Sequence, residues 1–354
     1  MNNGKTIMEL AQELRRRDQE KSDYLVETTQ LTMEPEQNRL VLEGQDQAYP
    51  VTDLAHRQLA TWADIPYKYY EKMQDNSAAL LAGNVNHWLH NPKKPTRRMV
   101  RTLDGDARAF LSNRYRRIDN LEVAEAALPI LAELDDLRVI SSDVTDTHLY
   151  IKALFPRLEG EVQAGDLVQA GVVISNSEVG CGALKVSPLI YRLVCTNGMV
   201  ADASGDYSLN KYHVGRNVAA DSTNYEIFRD ETMQADDRAV LLKLQDTVRA
   251  AFSQDIFNIL LGKMRESTGG PKIQIPTKAV ETLGKTCGLN ESEKGSVLEN
   301  LIKGQDYSRW GALNAVTEVA NTNSSYERST ELESIGGRLL DLPPSAWKRI
   351  AEAA

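Results

Sequence analysis

The residues with the clearest capacity for chemistry are cations crowded into positions 91–117. This stretch, NPKKPTRRMVRTLDGDARAFLSNRYRR, holds nine Lys and Arg against two Asp, a net charge of +7 over 27 residues. Guanidinium groups form paired hydrogen bonds with phosphate oxygens, and lysine ammoniums bind phosphate as point charges. The segment therefore predicts a nucleic-acid-binding surface made by Lys93, Lys94, Arg97, Arg98, Arg101, Arg108, Arg114, Tyr115, Arg116 and Arg117.

Aromatic residues lie among these cations. Tyr115 stands between Arg114 and Arg116. Phe110 lies one strand length earlier. Aromatic rings among cations suit single-stranded nucleic acid, because every base offers a face for stacking. Two other interpretations stay open. The arginines pair with carboxylates within or between subunits, or they form an ordinary solvated surface.

Three other sets of residues resemble catalytic or metal sites, and each has a simpler structural explanation. Two histidines alone do not make a metal site, Asp and Thr are usual in hairpin turns, and a cysteine on a strand is usually a small core residue. The sets are His87 with His90, Asp143 and Asp146 with His148, and Cys195 with His213. Neither a dinucleotide fingerprint nor a phosphate loop occurs in the sequence. We therefore predict no catalytic residue, no metal and no cofactor.

The composition predicts a cytoplasmic protein without a membrane segment. The 354 residues contain 41 Lys and Arg against 50 Asp and Glu, a net charge of −9, which excludes a uniformly basic nucleic-acid binder. Apart from the basic segment, the other 327 residues carry −16. Three widely spaced cysteines indicate a reducing compartment. No run approaches the roughly 18 apolar residues that span a bilayer.

The elements that position these residues follow from periodicity and turn signals. Helical spacing predicts helices over 5–20, 52–73 (interrupted at Ile65–Pro66), 76–90, 121–134, 228–264, 277–286, 292–302, 308–320, 326–340 and a short one after Pro344. Strand patterns are found at 28–33, 39–44, 99–100, 109–111, 138–142, 148–155, 167–175 and 183–194. Asp104–Gly105 predicts a hairpin turn inside the basic segment, and 267–272 predicts a linker.

One helix followed by four antiparallel strands predicts an α+β fold. We expect an antiparallel sheet with a long hairpin crossed by helices, plus a helical C-terminal region. The predicted regions are a mixed helix and strand part at 1–90, an α+β core at 91–266 that includes the basic segment, and a helical part at 272–354.

Three stretches resemble a known family. They are DLAHRQLATWADIPYKYY at 53–70, SNSEVGCGALKVSPLIYRLVCTNGMV at 175–200 and WGALNAVTEVAN at 310–321. Together they resemble the phage- and plasmid-like proteins catalogued as domain of unknown function 932, over about residues 45–340. The resemblance implies a mobile-element origin in a bacterial host cell. It supplies no activity, and no catalytic residue can be carried over from it.

The order of elements gives a second resemblance, to single-strand annealing recombinases of the RecT and lambda beta type. That resemblance implies a ring or filament that binds single-stranded DNA in a basic groove without ATP. It rests on architecture and on the charged segment, not on a motif.

We therefore expect a non-enzymatic, homo-oligomeric protein that binds single-stranded DNA for annealing or strand protection. The alternative is a protein-interaction factor, such as an inhibitor of host defence, whose basic segment docks on an acidic partner. For head-to-tail assembly, we expect the basic segment to meet a neighbour's acidic cluster, which consists of Asp230, Glu231, Asp236 and Asp237.

Overall fold

The computed structural model describes residues 4–45, 47–91, 96–134, 136–201, 209–211 and 230–353. The helices in these ranges are α1 Ile7–Glu20, α2 Asp53–Trp62, α3 Tyr67–Asn76, α4 Ala78–His90, α5 Asn120–Glu133, α6 Asp230–Ala251, α7 Gln254–Ser267, α8 Pro276–Cys287, α9 Glu291–Gly304, α10 Arg309–Val319, α11 Tyr326–Leu340 and α12 Pro344–Ala351. The strands are β1 Ser22–Glu27, β2 Leu31–Met33, β3 Leu40–Leu42, β4 Ala48–Tyr49, β5 Arg97–Leu103, β6 Asp106–Ser112, β7 Arg138–Val144, β8 Leu149–Glu161, β9 Leu167–Asn176, β10 Leu184–Arg192, β11 Asn197–Val200 and β12 Leu209–Lys211.

An antiparallel sheet forms the centre of the fold. Its strand order is β11-β10-β9-β8-β7, and β12 pairs with β10 beside this path. The 13 residues of β8 and the 10 residues of β9 form a long hairpin. The pairing register shifts between Phe155 and Glu159, and a bulge of this kind bends and twists a strand. The predicted α+β fold with a long hairpin and a helical C-terminal region is confirmed.

Helices cover both faces of this sheet, so β8 is buried on both sides at its centre. Ile151 and Ala153 point into a core that contains residues of α1, α5 and α6. Side chains alternate along a strand, so Lys152 points to the opposite face. There its ammonium lies 2.7 Å from the carboxylate of Glu333 on α11, with both side chains 0% exposed. The hydrophobic cover of one face and this ion pair on the other fix the sheet between its helices.

Two small sheets and three helices make up the N-terminal part. One sheet has the order β1-β5-β6, the other the order β2-β3-β4, and α2 to α4 share a core with them. The strand β1 is missing from the sequence-based prediction, which is wrong at this position. Opposite charges, not an apolar pattern, mark this strand. Asp23 and Glu27 of β1 stand directly opposite Arg101 and Arg97 of β5, and such cross-strand charge pairs stabilise a sheet.

The single helix predicted over 228–264 is also wrong, because the chain breaks near Ser253. That residue is the extended N-cap of α7, and α6 ends two residues before it. The break sends the two helices to different cores. Val248 of α6 joins the core under α5, whereas Phe257 of α7 packs with the C-terminal helices. A continuous apolar stripe in the sequence therefore serves two separate packing surfaces.

The five C-terminal helices, α8 to α12, lie close to their predicted positions. Trp310 of α10 and Trp347 of α12 are each 1% exposed. Their core also includes Ile190 of β10 and Met199 of β11, so these helices pack directly against the central sheet. In the described ranges, no helix is both long enough and apolar enough to cross a membrane.

Candidate nucleic-acid interface

The basic segment folds into the β5–β6 hairpin, as its turn signal predicts. Asp104 and Gly105 have φ values of 53° and 84°, and a two-residue hairpin turn of this type needs positive φ at both positions. The hairpin forms the middle and one edge of the β1-β5-β6 sheet. The strands therefore carry the predicted cations to two faces and two ends of one small sheet, and their environments differ.

Arg101 is held inside a network of charges. Its side chain is 0% exposed, and its guanidinium lies 2.7 Å from the carboxylates of both Asp23 and Asp119. A further N–H donates to the carbonyl of Glu178 at 2.8 Å. Asp119 also pairs with Lys21. This arginine joins β1, α5 and the loop after β9, so the structure gives it a part in the core and not on a groove.

Arg108 is buried at an irregularity in β6. Arg101 stands opposite Ala109 and the next residue of β5 stands opposite Ala107, so Arg108 is the extra residue of a bulge. One guanidinium nitrogen lies 2.9 Å from a carboxylate oxygen of Glu178. The other oxygen of Glu178 accepts the backbone N–H of Asn120 at 2.6 Å. Arg108 is thus neutralised inside the protein.

Arg116 meets two residues of the acidic cluster within one chain. The Arg116 side chain is 5% exposed, and its guanidinium pairs with the carboxylates of Asp236 and Asp237 at the start of α6. The sequence assigned these two carboxylates to a neighbouring subunit. The pairing found here ties α6 to the loop before α5 instead, so this contact does not require a second copy.

Tyr115 lies in the core. It is 7% exposed and packs with Met99, Leu111 and Val179. Its hydroxyl donates to the carbonyl of Ser177 at 2.7 Å. Burial raises its pKa above the ordinary value for tyrosine. A ring enclosed in this way has no face for a base, so we reassign Tyr115 from the stacking position that the sequence predicts to the core.

Two of the predicted arginines are exposed beside carboxylates. The side chain of Arg97 is 61% exposed and lies 3.0 Å from Glu27. Arg117 is 59% exposed, and its guanidinium is 3.7 Å from Asp23. Exposed pairs of this kind are weak and exchange readily with other anions. Lys93 and Lys94 lie outside the described residues.

Arg98 and Arg114 are partly exposed cations at the open end of the hairpin. Arg98 stands opposite Ser112, and the Ser112 hydroxyl accepts the backbone N–H of Arg114 at 3.1 Å. Within the described ranges, no carboxylate lies within 4.0 Å of either guanidinium. We call the group formed by Arg97, Arg98 and Arg114 the hairpin-end cations.

The surroundings of Arg98 leave part of its charge uncompensated. Its guanidinium lies 4.8 Å from the centre of the Phe110 ring. Burial lowers its pKa to about 10, and its Nε atom is buried without a hydrogen-bond partner. The side chain is still charged at neutral pH. Partial burial of a charge without a carboxylate beside it is unfavourable, and an anion at the exposed part of this guanidinium would reduce that cost.

Among the residues that the structure describes, members of the clusters that resemble catalytic sites have structural surroundings. The Cys181 thiol lies near His148, but burial raises its pKa to about 11, so it is protonated at neutral pH. Burial lowers the pKa of His148, whose Nδ1 lies 2.8 Å from the Thr147 hydroxyl. His90 contacts the carbonyl of Leu31 at 2.9 Å.

Two further members of those sets have partners within the chain. Asp143 pairs with Lys5, and the Cys195 sulfur accepts from Arg192 at 3.2 Å. His213 lies outside the described residues. Across the ranges that are described, no group of three or more His, Cys, Asp or Glu is placed to hold a metal ion.

Sequence reasoning missed the organising role of Glu178. It lies in the SEVGCG stretch, whose glycines suggest only a turn, yet it receives both Arg108 and the start of α5. Its backbone carbonyl also receives Arg101. The sequence signal for this role was a single acidic residue in a glycine-rich loop. Its partners lie 58 to 77 residues away in the sequence, so the sequence alone did not connect them.

Comparison with known proteins gives one match. Neither the curated proteins nor the solved structures include a match to this chain. The architectural likeness to annealing recombinases is therefore not confirmed. A family model described as Domain of unknown function (DUF932) matches residues 109–335, well over half of the chain. This match spans the sheet, the loop that carries Glu178, and most of the C-terminal helices, and it shows that the chain belongs to the DUF932 family.

Proposed function

We propose that the protein binds single-stranded DNA through the hairpin-end cations and the exposed Arg117. The single observation that carries the proposal is the state of Arg98, a half-buried guanidinium with no carboxylate within 4.0 Å in the described chain. A phosphate group satisfies such a site through paired hydrogen bonds. A protein that needed Arg98 only for solubility would gain nothing from burying it.

The proposed surface is smaller than the one that the sequence predicts. Arg101, Arg108 and Arg116 each hold carboxylates of the same chain and are at most 8% exposed as side chains. Recruiting Arg101 or Arg108 would leave buried carboxylates unpaired, which is costly. Recruiting Arg116 would break its contacts with Asp236 and Asp237. The surface therefore consists of the hairpin-end cations with Arg117, and binding is expected to be electrostatic with little base readout.

Annealing or strand protection by a homo-oligomer, as a ring or a filament, stays part of this proposal. Two residues of the acidic cluster from which assembly was predicted, and much of the apolar surface of α6 and α7, are used within the chain. The apolar stripe of α6 and α7 packs on the chain's own cores, and Asp236 with Asp237 pairs with Arg116. We therefore propose that assembly uses other surfaces or forms along the DNA.

A titration of the full-length protein with fluorescent oligothymidine at several salt concentrations tests the proposal. The expected result is binding at low salt whose affinity falls linearly with salt on logarithmic axes. Duplex DNA and RNA of equal length, measured in parallel, define the preference. Absence of oligothymidine binding at low salt would contradict the proposal. Saturable binding to polyglutamate, without binding to any nucleic acid, would favour an acidic protein partner instead.

A further inference from the structure

A groove lies between the central sheet and α11, with a cavity of about 270 Å³. Its floor is formed by β9 and β10. Leu184 and Val186 are buried in the core on the far side of the sheet. Because side chains alternate along a strand, Lys185 and Ser187 face the groove. The groove is therefore a polar strip backed by a hydrophobic core, which keeps its floor rigid.

Two exposed cations reach into this groove from different elements. Lys185 extends from β10, and Arg338 extends from the last turn of α11. In the described parts of the chain, no carboxylate lies within 4.0 Å of either side chain. The groove thus holds two positive charges that no internal partner neutralises.

The two acidic residues in the groove are engaged elsewhere. Glu327 accepts hydrogen bonds from the hydroxyls of Thr145, at 2.6 Å, and Thr147. Glu331 pairs with Arg328 at 2.6 Å. Glu331 is thus paired with a cation outside the groove, and neither carboxylate forms an ion pair with Lys185 or Arg338.

Hydroxyl groups complete the set of donors around Lys185. Ser175 stands directly opposite Lys185 in the pairing of β9 with β10, and Ser187 lies two residues along β10 on the same face. Both residues line the groove. An ammonium, a guanidinium and two hydroxyls that line one groove suit an acceptor with several oxygens and a negative charge.

We propose that this groove binds the phosphate group of a small phosphate ester, with Lys185 and Arg338 as its two charge partners. A phosphate offers three oxygens, one more than a carboxylate, and the guanidinium fork can hold two of them. The volume lies near the lower end of the range for ligand pockets, about 300 Å³, which favours a mononucleotide-sized compound over a larger one. The phosphate can come from a free ester or from a DNA strand, and the test below separates these sources.

Calorimetric titrations of the full-length protein test the groove without DNA. The probes are inorganic phosphate, 5′-deoxyadenosine monophosphate and the unphosphorylated nucleoside. The variants are Lys185→Gln and Arg338→Gln, each at an exposed position where folding should be unaffected. Lys278→Gln with Arg349→Gln is a control that removes two exposed cations from the C-terminal helices. A third arm measures whether an oligothymidine without terminal phosphates displaces the monophosphate.

The expected result is that the monophosphate binds and the nucleoside does not. Each groove variant should weaken the monophosphate about tenfold or more, Lys185→Arg should restore much of the affinity, and the control should bind normally. If the oligonucleotide displaces the monophosphate from the wild type but does not bind the groove variants, the groove binds the phosphate of a DNA strand. The proposal is overturned if no phosphate compound binds, or if the control weakens binding as much as the groove variants. The titrations with phosphate, the monophosphate and the nucleoside contain no DNA, so their outcome is independent of the proposed DNA binding.

Discussion

Replacing Arg101 by Met should destabilise the protein strongly without acting on DNA binding directly. The substitution keeps the length of the side chain and removes its charge. The carboxylates of Asp23 and Asp119, with side chains only 12% and 14% exposed, then lose their common partner. Breaking a buried ion pair from one side costs about 3–5 kcal/mol. We expect about 3 kcal/mol, because Asp119 keeps its contact with Lys21.

The pH dependence of the stability difference shows whether loss of this ion-pair network causes the destabilisation. Burial raises the pKa of Asp119, but the charges of Arg101 and Lys21 outweigh it and hold the pKa at about 2. A carboxyl with a lowered pKa stabilises the fold above its unfolded pKa, near pH 4, and loses that effect as pH falls through the folded value. The contribution is about 2 kcal/mol. The stability gap between wild type and Arg101→Met should therefore narrow between pH 4 and pH 2.

Urea unfolding followed by circular dichroism at several pH values measures this gap. Arg157→Met is the matched control, since Arg157 forms an exposed pair with Asp136 and should cost at most about 1 kcal/mol. A loss below about 1 kcal/mol for Arg101→Met at pH 7 would refute the buried network. So would a selective loss of DNA affinity with unchanged stability, because that result would place Arg101 on the binding surface.

Three further outcomes are expected. In urea unfolding, Tyr115→Phe should lower stability by about 1 kcal/mol, because a buried hydrogen-bonded hydroxyl is lost. Tyr115→Ala should lower stability by about 3–5 kcal/mol, because the buried ring is lost as well. The folded fraction of both variants should bind DNA as the wild type does. Lys152→Met should lower stability by about 3–5 kcal/mol, because it leaves Glu333 buried and unpaired. Adding Glu333→Leu should recover most of that stability in the same assay, and failure to recover it would argue against the ion pair. Gly337→Ala should lower the melting temperature, because the new Cβ would lie 1.9 Å from a carbonyl oxygen of β11. Gly295→Ala should raise the melting temperature slightly, because its Cβ would meet nothing within 4 Å. Equal effects of the two substitutions would contradict this packing.

Local signals explain why much of the fold could be predicted from the sequence. Asp104–Gly105 between short apolar runs specifies a hairpin, and the run at Leu167–Asn176 specifies a strand whatever its neighbours are. Helices with a cap at one end, such as α9 after Asn290, are equally local. Each of these patterns is satisfied within a few residues, so no knowledge of the tertiary structure is needed.

The environment of the cations could not be predicted in the same way. A run of arginines is ordinarily solvated, and the sequence gives no distance between Arg101 and its partners Asp23 and Asp119. Pairing of β1 with β5 brings Asp23 across 78 residues, and only then does Arg101 become a core residue. The break at Ser253 was missed for a related reason: the apolar stripe is continuous in sequence, and only packing shows that it serves two cores.

The salt dependence of DNA binding by Arg98→Ala/Arg114→Ala tests the central claim most directly. The control is Arg157→Ala/Arg349→Ala, which removes the same charge from exposed positions elsewhere. We predict that the hairpin-end variant binds oligothymidine more weakly and that its slope of log affinity against log salt is smaller by about 1.4, two phosphate contacts at about 0.7 each. The control should keep the wild-type slope. An unchanged slope in the hairpin-end variant, or an equal loss in the control, would contradict the account.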